Sequence, residues 1–459
     1  MTSEVMTGEM NAGQQRLNLI ARLERVPFSR WHVKIRVLVG TATLFDAIDA
    51  LMIAYIMPVL VPLWSIDPTR VGLLISISYV GQLLGALFFG WFSERYGRKK
   101  SLIFSVLVMG IMSLACAFAW DYWSLFIFRF IQGLGLGGEV PVAASYISEW
   151  SKAKGRGKFV MLYEMVFAIG VVLAGLLGRA VIPAFGWQVM FILGAIPALL
   201  VPAFLRALPE SPRWLINRGR YAEADKVIEQ VETYVSRLTP LPPVDTNIKL
   251  GEEKKTNILE LFQGIYLRRT FTIWVLWFCV YFVNYGLQTW LPTLYSTVFN
   301  LSIQRSLVYS IIPLLVGLAG NLISAFLIDR VGRKPWFAVS FLAVAVALFA
   351  LAMTGVTSAE ILLLFTTINM FFVSPMSAGL YLYTPELYPT RLRGFGSSTG
   401  SGWLRIASII GPNIVGVVVA QYSLSLMFII FSCVALAGAI CAAAFAVETK
   451  GRVLEEISP

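Results

Sequence analysis

Six ionisable side chains lie inside stretches of sequence that are otherwise almost entirely apolar. An ionisable group within a membrane costs at least about 2.5–3.5 kcal/mol on insertion scales, so each is a candidate for function. Acids in such a place can carry protons, and guanidinium groups can bind anions. The six residues are Asp46, Asp49, Arg129, Glu139, Glu164 and Arg405.

Asp46 and Asp49 are three residues apart and therefore share one face of a helix. At 1.5 Å per residue they lie about 15–20 Å from the near end of their apolar stretch, close to mid-membrane. Two carboxylates this close need not both be ionised, because repulsion and desolvation favour a proton on one of them. We expect the pair to carry a coupling proton. The alternative is that one aspartate only hydrogen-bonds a neighbouring helix.

Arg129 lies about two turns into its apolar stretch, and one of the two aspartates is its expected partner. A structural ion pair with no role in transport is the competing interpretation. Glu139 and Glu164 lie toward the cytoplasmic ends of two neighbouring stretches, where either can act as a pairing residue.

Arg405 follows a run of small residues, Gly400-Ser-Gly, that would let a ligand approach. No acid is close to it in the sequence. A guanidinium group offers a planar fork of donors to a carboxylate, which predicts an anion-binding residue. The alternative is that Arg405 pairs with Asp46 or Asp49 across a central pore.

Aromatic and amide side chains cluster in the apolar stretch before Trp290-Leu-Pro292. They lie within two helical turns, which predicts one wall of a binding site. Further rings elsewhere could complete an aromatic cage, although a ring in a membrane span more often packs or faces lipid. The wall comprises Tyr281, Asn284, Tyr285 and Gln288, and the further rings are Phe167, Tyr381 and Trp403.

These residues belong to a chain of 459 residues that is 57% hydrophobic and only 14% charged, against about 25% charged in soluble domains. At roughly 20 residues per membrane crossing, it contains twelve apolar spans and is predicted to be an all-α integral membrane protein. The predicted spans are 36–60, 71–92, 102–120, 123–147, 159–181, 188–207, 272–296, 307–328, 336–354, 360–384, 397–420 and 424–446.

The net charge of +11 comes from basic residues that follow membrane topology. With a cytoplasmic N-terminus, all but five of the 37 Lys and Arg fall in cytoplasmic segments, the exceptions being Arg70, Arg129, Arg179, Arg305 and Arg405. We therefore expect a multi-pass protein of the cell inner membrane with both termini cytoplasmic, and neither nucleic-acid binding nor a cleaved signal peptide. The four cysteines and the single His32 lack metal-ligand spacing, so no metal or cofactor is expected.

The two halves of the chain repeat at an offset near 237 residues. Gly90-Trp-Phe-Ser-Glu-Arg-Tyr-Gly-Arg-Lys99 recurs as Ala325-Phe-Leu-Ile-Asp-Arg-Val-Gly-Arg-Lys334, and Tyr146-x-x-Glu149 recurs as Tyr383-x-x-Glu386. Pro209-Glu-Ser-Pro-Arg213 is echoed by Val447-Glu-Thr-Lys-Gly-Arg452. The repeat predicts an N-terminal six-helix bundle (1–208), a cytoplasmic linker with short helices (209–270), a second six-helix bundle (271–447) and a cytoplasmic tail (448–459).

These motifs, with Arg129-x-x-x-Gly133-x-Gly135-x-Gly137, resemble the major facilitator superfamily on its sugar-porter side. Phe45-Asp46-Ala-Ile-Asp49 and Gly137-Gly138-Glu139-Val-Pro141 are similar to bacterial nicotinate and aromatic-acid permeases and to organic-ion transporters. The resemblance implies that Arg129 is linked to proton movement and that Arg405 attracts anionic substrates, since organic-anion carriers have arginine at the matching position. Asn284-Tyr285-Gly286 matches the family's substrate-contacting tyrosine region, with Asn in place of its first tyrosine.

The repeated loop motifs are interpreted as a salt-bridge gate at the cytoplasmic face, because topology alone leaves their acids unexplained. The gating candidates are Glu94, Arg98, Lys99, Glu149, Arg156, Asp329, Arg333, Lys334, Glu386 and Arg393.

The function implied is proton-coupled symport of a small organic anion, an aromatic monocarboxylate such as nicotinate or a benzoate, by a monomer in the lipid bilayer. A sugar or polyol proton symporter and a multidrug or organic-ion efflux carrier are the alternatives. No catalytic constellation is visible, so an enzyme is not expected.

Overall fold

The computed structural model describes residues 12–150, 156–237, 239–244, 258–389 and 392–451. Their regular structure consists of helices without a strand, as the sequence predicts. The N-terminal half contains α1 (Ala12–Arg25), α2 (Arg30–Trp64), α3 (Pro68–Tyr96), α4 (Arg98–Ala117), α5 (Tyr122–Glu149), α6 (Arg156–Phe185), α7 (Gln188–Gly194) and α8 (Ile196–Ala207).

Two helices of the linker, α9 (Pro212–Asn217) and α10 (Tyr221–Ser236), follow, and a 3-10 turn covers Ile258–Phe262. The C-terminal half contains α11 (Gly264–Gln288), α12 (Leu291–Thr297), α13 (Ile303–Val331), α14 (Arg333–Met353), α15 (Ala359–Glu386), α16 (Arg393–Gln421) and α17 (Leu424–Phe445).

Eleven helical segments within the described ranges are long and apolar enough to cross a membrane. The predicted span 188–207 is not one continuous helix, since it divides at Ala195 into α7 and α8. The division is stabilised by Pro197 in the first turn of α8, where a missing N–H is tolerated. The predicted span 272–296 is likewise interrupted, because α11 ends at Gln288 and α12 begins at Leu291, with Pro292 in its first turn.

Glycines set the closest helix contact of the N-terminal half, between α3 and α5. A Cβ atom at Gly85 would meet the backbone of Leu134, and one at Gly137 would meet the backbone of Gln82. Only glycine permits two backbones to approach so closely within a membrane. The glycine-rich motif after Arg129 therefore fixes α5, and with it the buried side chains of α5, against α3.

The two halves meet along α3 and α16. Ser76 in α3 donates a hydrogen bond to the carbonyl of Ile409 in α16 at 2.9 Å. Nearer the start of α3, a Cβ at Gly72 would lie 2.8 Å from the Pro412 carbonyl oxygen. We call this end of the protein the far end. The end that carries the turns at Gly97 and Gly332 is called the linker end. The far end is closed by these contacts between the halves.

The short helices α1, α9 and α10 pack at the linker end of the N-terminal half. Their apolar residues, including Leu19, Trp214 and Ile228, join one buried cluster with Leu102 and Tyr146 of the bundle. One of the short helices predicted for the linker corresponds to α10. These helices are therefore an extension of the N-terminal half.

Candidate functional site

Asp49 is fixed by neighbours from two other helices. Its Oδ1 atom accepts a hydrogen bond from the Ser113 hydroxyl of α4 at 3.1 Å. Arg129 of α5 donates to the Asp49 carbonyl at 3.3 Å and to Gln132 Oε1 at 2.7 Å. Asp49, Arg129 and Gln132 are at most 1% exposed. Arg129 thus reaches the backbone carbonyl of Asp49 and forms no ion pair with the Asp49 carboxylate. The pairing of Arg129 with an aspartate and its role in proton movement stay predictions.

Asp46 lies one turn earlier on α2 and has a different environment. It is 5% exposed, and its Oδ1 atom has no hydrogen-bond partner. Its electrostatic neighbours are Glu139 of α5, Asp49 and Arg405 of α16. Glu139 accepts a hydrogen bond from the Thr43 hydroxyl at 3.0 Å. Asp46 therefore faces both a second acid and the opposite half of the protein.

Arg405 forms no ion pair within the described part of the chain. Its Nη1 atom donates a hydrogen bond to the Ser401 carbonyl of its own helix at 3.3 Å, and its Nε has no partner. Its electrostatic neighbours are Tyr381, Asp46, Tyr285 and Tyr281. Direct pairing with Asp46 or Asp49, the alternative raised by the sequence, is absent, so the guanidinium group is available to an anion.

An aromatic stack lies beside Arg405. Tyr281 stacks on Trp277 with ring centroids 5.5 Å apart and on Tyr285 at 5.7 Å. Tyr381 meets Trp277 edge-on at 4.8 Å. Tyr79 of the N-terminal half meets Tyr285 at 5.3 Å, so the stack crosses the junction between the halves. Sequence reasoning missed Trp277, although it lies one turn before Tyr281 on the same face.

The remaining predicted binding residues are more dispersed. Asn284 donates to the Ser377 hydroxyl of α15 at 3.1 Å, and Gln288 follows one turn later, half-buried. Trp403 packs against Trp274 and Phe278, with centroids 5.6 and 6.1 Å away, which places it beside the stack and not within it. Phe167 is half-buried in α6 and belongs to no described ring contact. Contact of these residues with a substrate stays a prediction.

The gating candidates form one equivalent cluster in each half at the linker end. Arg98 binds Glu94 at 2.6 Å and Glu149 at 2.9 Å. Arg333 repeats this with Asp329 at 2.6 Å and Glu386 at 2.9 Å. Each of these ion pairs stays within its own half, so in this conformation they do not join the halves. Opening and closing by these clusters stays a prediction.

Two further gating candidates are Arg393 and Arg156. Arg393 donates to the Tyr388 carbonyl at 3.0 Å, so it does not pair with Glu386, which binds Arg333. The side chain of Arg156 lies outside the described residues, as does that of Glu164. Lys99 and Lys334 contribute backbone N–H groups, which bind Glu210 and Glu448. Neither acid was predicted to have a role from its position in the sequence.

The protein consists of apolar membrane-spanning helices in two halves, with buried charges and a ring stack at their junction. These features are typical of a membrane transporter. The model of the family described as "Sugar (and other) transporter" matches residues 49–459. The chain belongs to this family.

Relatives at 30–35% identity match nearly the whole chain. The Niacin transporter NiaP of Acinetobacter baylyi is 35% identical over 96% of this chain and all of the relative. The Putative niacin/nicotinamide transporter NiaP of Bacillus subtilis is 32% identical over 91% of this chain and 96% of the relative. The Synaptic vesicle 2-related protein of Xenopus laevis is 30% identical over 95% of this chain and 82% of the relative.

Solved structures share the fold at low sequence identity. A D-xylose-proton symporter covers 91% of this chain and 99% of its own, with a TM-score of 0.72 at 20% identity. The xylose transporter XylE from E. coli, in an inward open conformation, covers 93% of this chain and 99% of its own, with a TM-score of 0.70 at 19% identity.

Proposed function

We propose that this protein is a proton-coupled symporter that imports a small organic anion, an aromatic monocarboxylate such as nicotinate or a benzoate. The observation that carries the proposal is Arg405, a guanidinium group without an ion-pair partner in the described chain. Its electrostatic interaction with Tyr281, Tyr285 and Tyr381 would bring an aromatic surface next to an anion bound there. A planar aromatic acid satisfies both features at once.

The relatives support the same substrate class, because two of them are described as niacin or niacin/nicotinamide transporters. Nicotinate carries the carboxylate that Arg405 would bind, while nicotinamide does not. The carboxylates of Asp46 and Asp49 on α2 would carry the coupled proton, with Arg129 and Glu139 as their partners.

The basic linker end would face the cytoplasm of a cell inner membrane, with both termini on that side and the protein acting as a monomer. The closed far end then corresponds to a conformation that faces inward. Transport would proceed by rocking the two halves about the central site, with the Arg98 and Arg333 clusters exchanging partners as the linker end closes.

A sugar or polyol symporter is the second candidate. It is favoured by paired amide and hydroxyl groups in the C-terminal half, Asn284 with Ser377 and Asn321 with Ser374. Such groups can bind ligand hydroxyls.

Uptake into proteoliposomes tests both candidates. The purified full chain is supplied with labelled nicotinate, benzoate, nicotinamide or D-xylose, with and without an inward proton gradient. Protein-free liposomes measure the passive entry of undissociated acids, which is subtracted. We expect gradient-driven uptake of the two acids and much weaker uptake of nicotinamide and xylose. Uptake of xylose alone would replace the anion proposal, and acid uptake indifferent to the proton gradient would remove the coupling.

A further inference from the structure

Tyr79 of α3 is the residue by which the N-terminal half joins the aromatic stack. Its ring meets the ring of Tyr285 edge-on across the junction, with centroids 5.3 Å apart. The residue is enclosed by its neighbours and is 1% exposed. Its Oη atom is buried and has no hydrogen-bond partner. Tyr79 therefore presents an unused hydroxyl group at the junction, where a phenylalanine ring would satisfy packing equally well.

The contact that closes the far end also places Tyr79 at the level of Arg405. Ser76 of α3 donates to the carbonyl of Ile409 in α16. Tyr79 lies three residues after Ser76, and Arg405 lies four residues before Ile409. Because α3 runs toward the linker end and α16 runs away from it, both residues lie about one helical turn, roughly 5 Å, beneath that contact. Tyr79 and Arg405 thus belong to facing helices directly under the closed far end.

The polar groups around Tyr79 and Arg405 overlap. Tyr285 and Asp46 are electrostatic neighbours of both residues. Arg129 of α5 is a further neighbour of Tyr79. None of these groups forms a hydrogen bond with the Tyr79 hydroxyl. A ligand whose carboxylate binds Arg405 and whose ring lies along the aromatic stack would therefore enter the surroundings of Tyr79.

A buried hydroxyl group without a partner is costly, and a ligand that supplies an acceptor removes this cost. A tyrosine O–H can donate one hydrogen bond. The nitrogen of a pyridine ring is unprotonated at neutral pH and accepts hydrogen bonds, whereas benzoate has a C–H group at that ring position, which accepts none. Nicotinate and benzoate have the same charge and nearly the same shape. This one ring atom is therefore the difference that the Tyr79 hydroxyl can distinguish.

We propose that Tyr79 donates a hydrogen bond to the ring nitrogen of the substrate and thereby selects pyridine carboxylates over benzoates. This assignment rests on the proposed function and narrows its substrate class to aromatic acids with an acceptor in the ring. Arg405 of the C-terminal half binds the carboxylate, and Tyr79 of the N-terminal half binds the ring nitrogen. A benzoate in the same place leaves the hydroxyl without a partner. A site built for a hydrogen bond discriminates strongly against a ligand that cannot form it.

Tyr79→Phe removes the hydroxyl group and keeps the ring that packs on Tyr285. The full chain is reconstituted in liposomes with an inward proton gradient. Two quantities are measured: the KM for labelled nicotinate, and the inhibition constant of unlabelled benzoate against nicotinate uptake, which avoids measuring benzoate entry directly. We expect the wild type to prefer nicotinate to benzoate by about tenfold or more. In Tyr79→Phe the KM for nicotinate should rise about tenfold, while the inhibition constant of benzoate should change by less than about twofold.

Tyr295→Phe is the matched control and should leave both quantities unchanged. Tyr295 is also a fully buried tyrosine, but it lies in α12, where its ring contacts Phe299 and Tyr309 and not the aromatic stack. A loss of discrimination in Tyr79→Phe alone would support the assignment. Equal weakening of nicotinate and benzoate in Tyr79→Phe would show that the hydroxyl only supports the structure of the site, and would overturn the assignment.

The wild type alone tests the assignment if Tyr79→Phe does not fold. A wild type that transports nicotinate but binds benzoate equally well has no residue that reads the ring nitrogen, so the assignment fails while the proposed function stands. A wild type that takes up neither acid overturns the proposed function and the assignment with it. The two failures are therefore distinguished by whether the wild type transports an aromatic acid.

Discussion

Glu448 binds the amino end of α14 through the same backbone contacts by which Glu210 binds the amino end of α4. Glu210 Oε1 accepts from the N–H groups of Arg98 and Lys99 at 2.9 and 3.1 Å. Glu448 accepts from Arg333 and Lys334 at 3.0 and 3.1 Å. A carboxylate at a helix N-terminus satisfies free N–H groups and complements the helix dipole. The internal repeat therefore extends to the cap that follows each half.

The turns beneath these caps require glycine. Gly97 and Gly332 have φ angles of 105° and 102°, a region that other residues rarely adopt. A Cβ at Gly332 would also lie 2.6 Å from Glu448 Oε2. The glycine in each Gly-Arg-Lys motif thus allows the acid to reach the helix end.

The two caps should respond oppositely to pH. Burial raises the pKa of Glu210, and this exceeds the opposing effect of its backbone hydrogen bonds. Burial also raises the pKa of Glu448. Backbone hydrogen bonds outweigh this effect and hold the pKa of Glu448 below its usual range; the donors are Lys450, Arg333, Lys334 and Thr449. The Glu448 carboxylate therefore stabilises the folded protein at pH values above about 4.3, the pKa of a glutamate in the unfolded chain. This stabilisation is lost as the pH falls through the pKa of Glu448 in the folded protein.

Melting temperatures of Glu448→Gln and Glu210→Gln in detergent test this difference. At pH 7 we expect Glu448→Gln to be less stable than the wild type by about 1 kcal/mol, because hydrogen bonds to a charged acceptor are stronger. That deficit should shrink toward pH 4. For Glu210 the sign reverses: the wild type should gain stability relative to Glu210→Gln as the pH falls and Glu210 is protonated. The same trend for both variants would contradict the prediction.

A second prediction concerns the attachment of α1 to α10. Glu232 is 8% exposed and binds Arg22 and Arg25, each at 2.8 Å. Glu232→Gln leaves these guanidinium groups without their charged acceptor, at a cost of about 1–3 kcal/mol. We expect α1 to detach more often, so trypsin should cleave after Arg22 and Arg25 several-fold faster. Glu229→Gln on the exposed face of α10 should be cleaved at the wild-type rate.

The features that the sequence predicts best are those with a large energetic cost. Charges at Asp46, Asp49 and Arg405 are visible because membranes exclude them, and the all-helical fold follows because lipid satisfies no backbone group. The repeated Gly-Arg-Lys turns are visible because their composition is unusual.

The features that could not be predicted from the sequence depend on distances between helices. Nothing in the chain order places Glu139 opposite Asp46, because that contact depends on how far α5 is rotated against α2. The break at Ala195 was missed because both flanking segments are apolar, and hydropathy carries no signal of helix continuity. Arg393 was predicted to belong to a salt-bridge gate, whereas the Tyr388 carbonyl is the acceptor that it reaches.

A third prediction concerns the closed far end. Alanine at Gly72 would place a Cβ 2.8 Å from the Pro412 carbonyl oxygen, a backbone atom that cannot rotate away. Overpacking of this kind costs about 1–3 kcal/mol in the closed conformation and should favour separation of α3 from α16. Gly40→Ala is the control, because a Cβ there has no neighbour within 4 Å.

Thiol labelling reports this shift. With the four native cysteines replaced and Ser76→Cys introduced at the junction, a membrane-impermeant maleimide should react from the far end about tenfold faster in Gly72→Ala than in the parent, as a shift of 1.4 kcal/mol implies. Gly40→Ala should match the parent. Equal labelling in all three backgrounds would show that the α3–α16 contact does not limit opening.

The last prediction concerns Arg405→Lys, which keeps the positive charge but removes the planar fork of donors. If Arg405 binds the substrate carboxylate through two hydrogen bonds, losing one of them costs about 1.5–3 kcal/mol, so the KM for nicotinate uptake should rise roughly 10- to 100-fold. Arg179→Lys, an exposed arginine of α6, provides the matched control and should leave KM unchanged. Because nicotinamide lacks the carboxylate, its weak uptake should be the same in the wild type and in Arg405→Lys. An equal loss for the acid and the amide would show that Arg405 supports the structure of the site and does not recognise the anion.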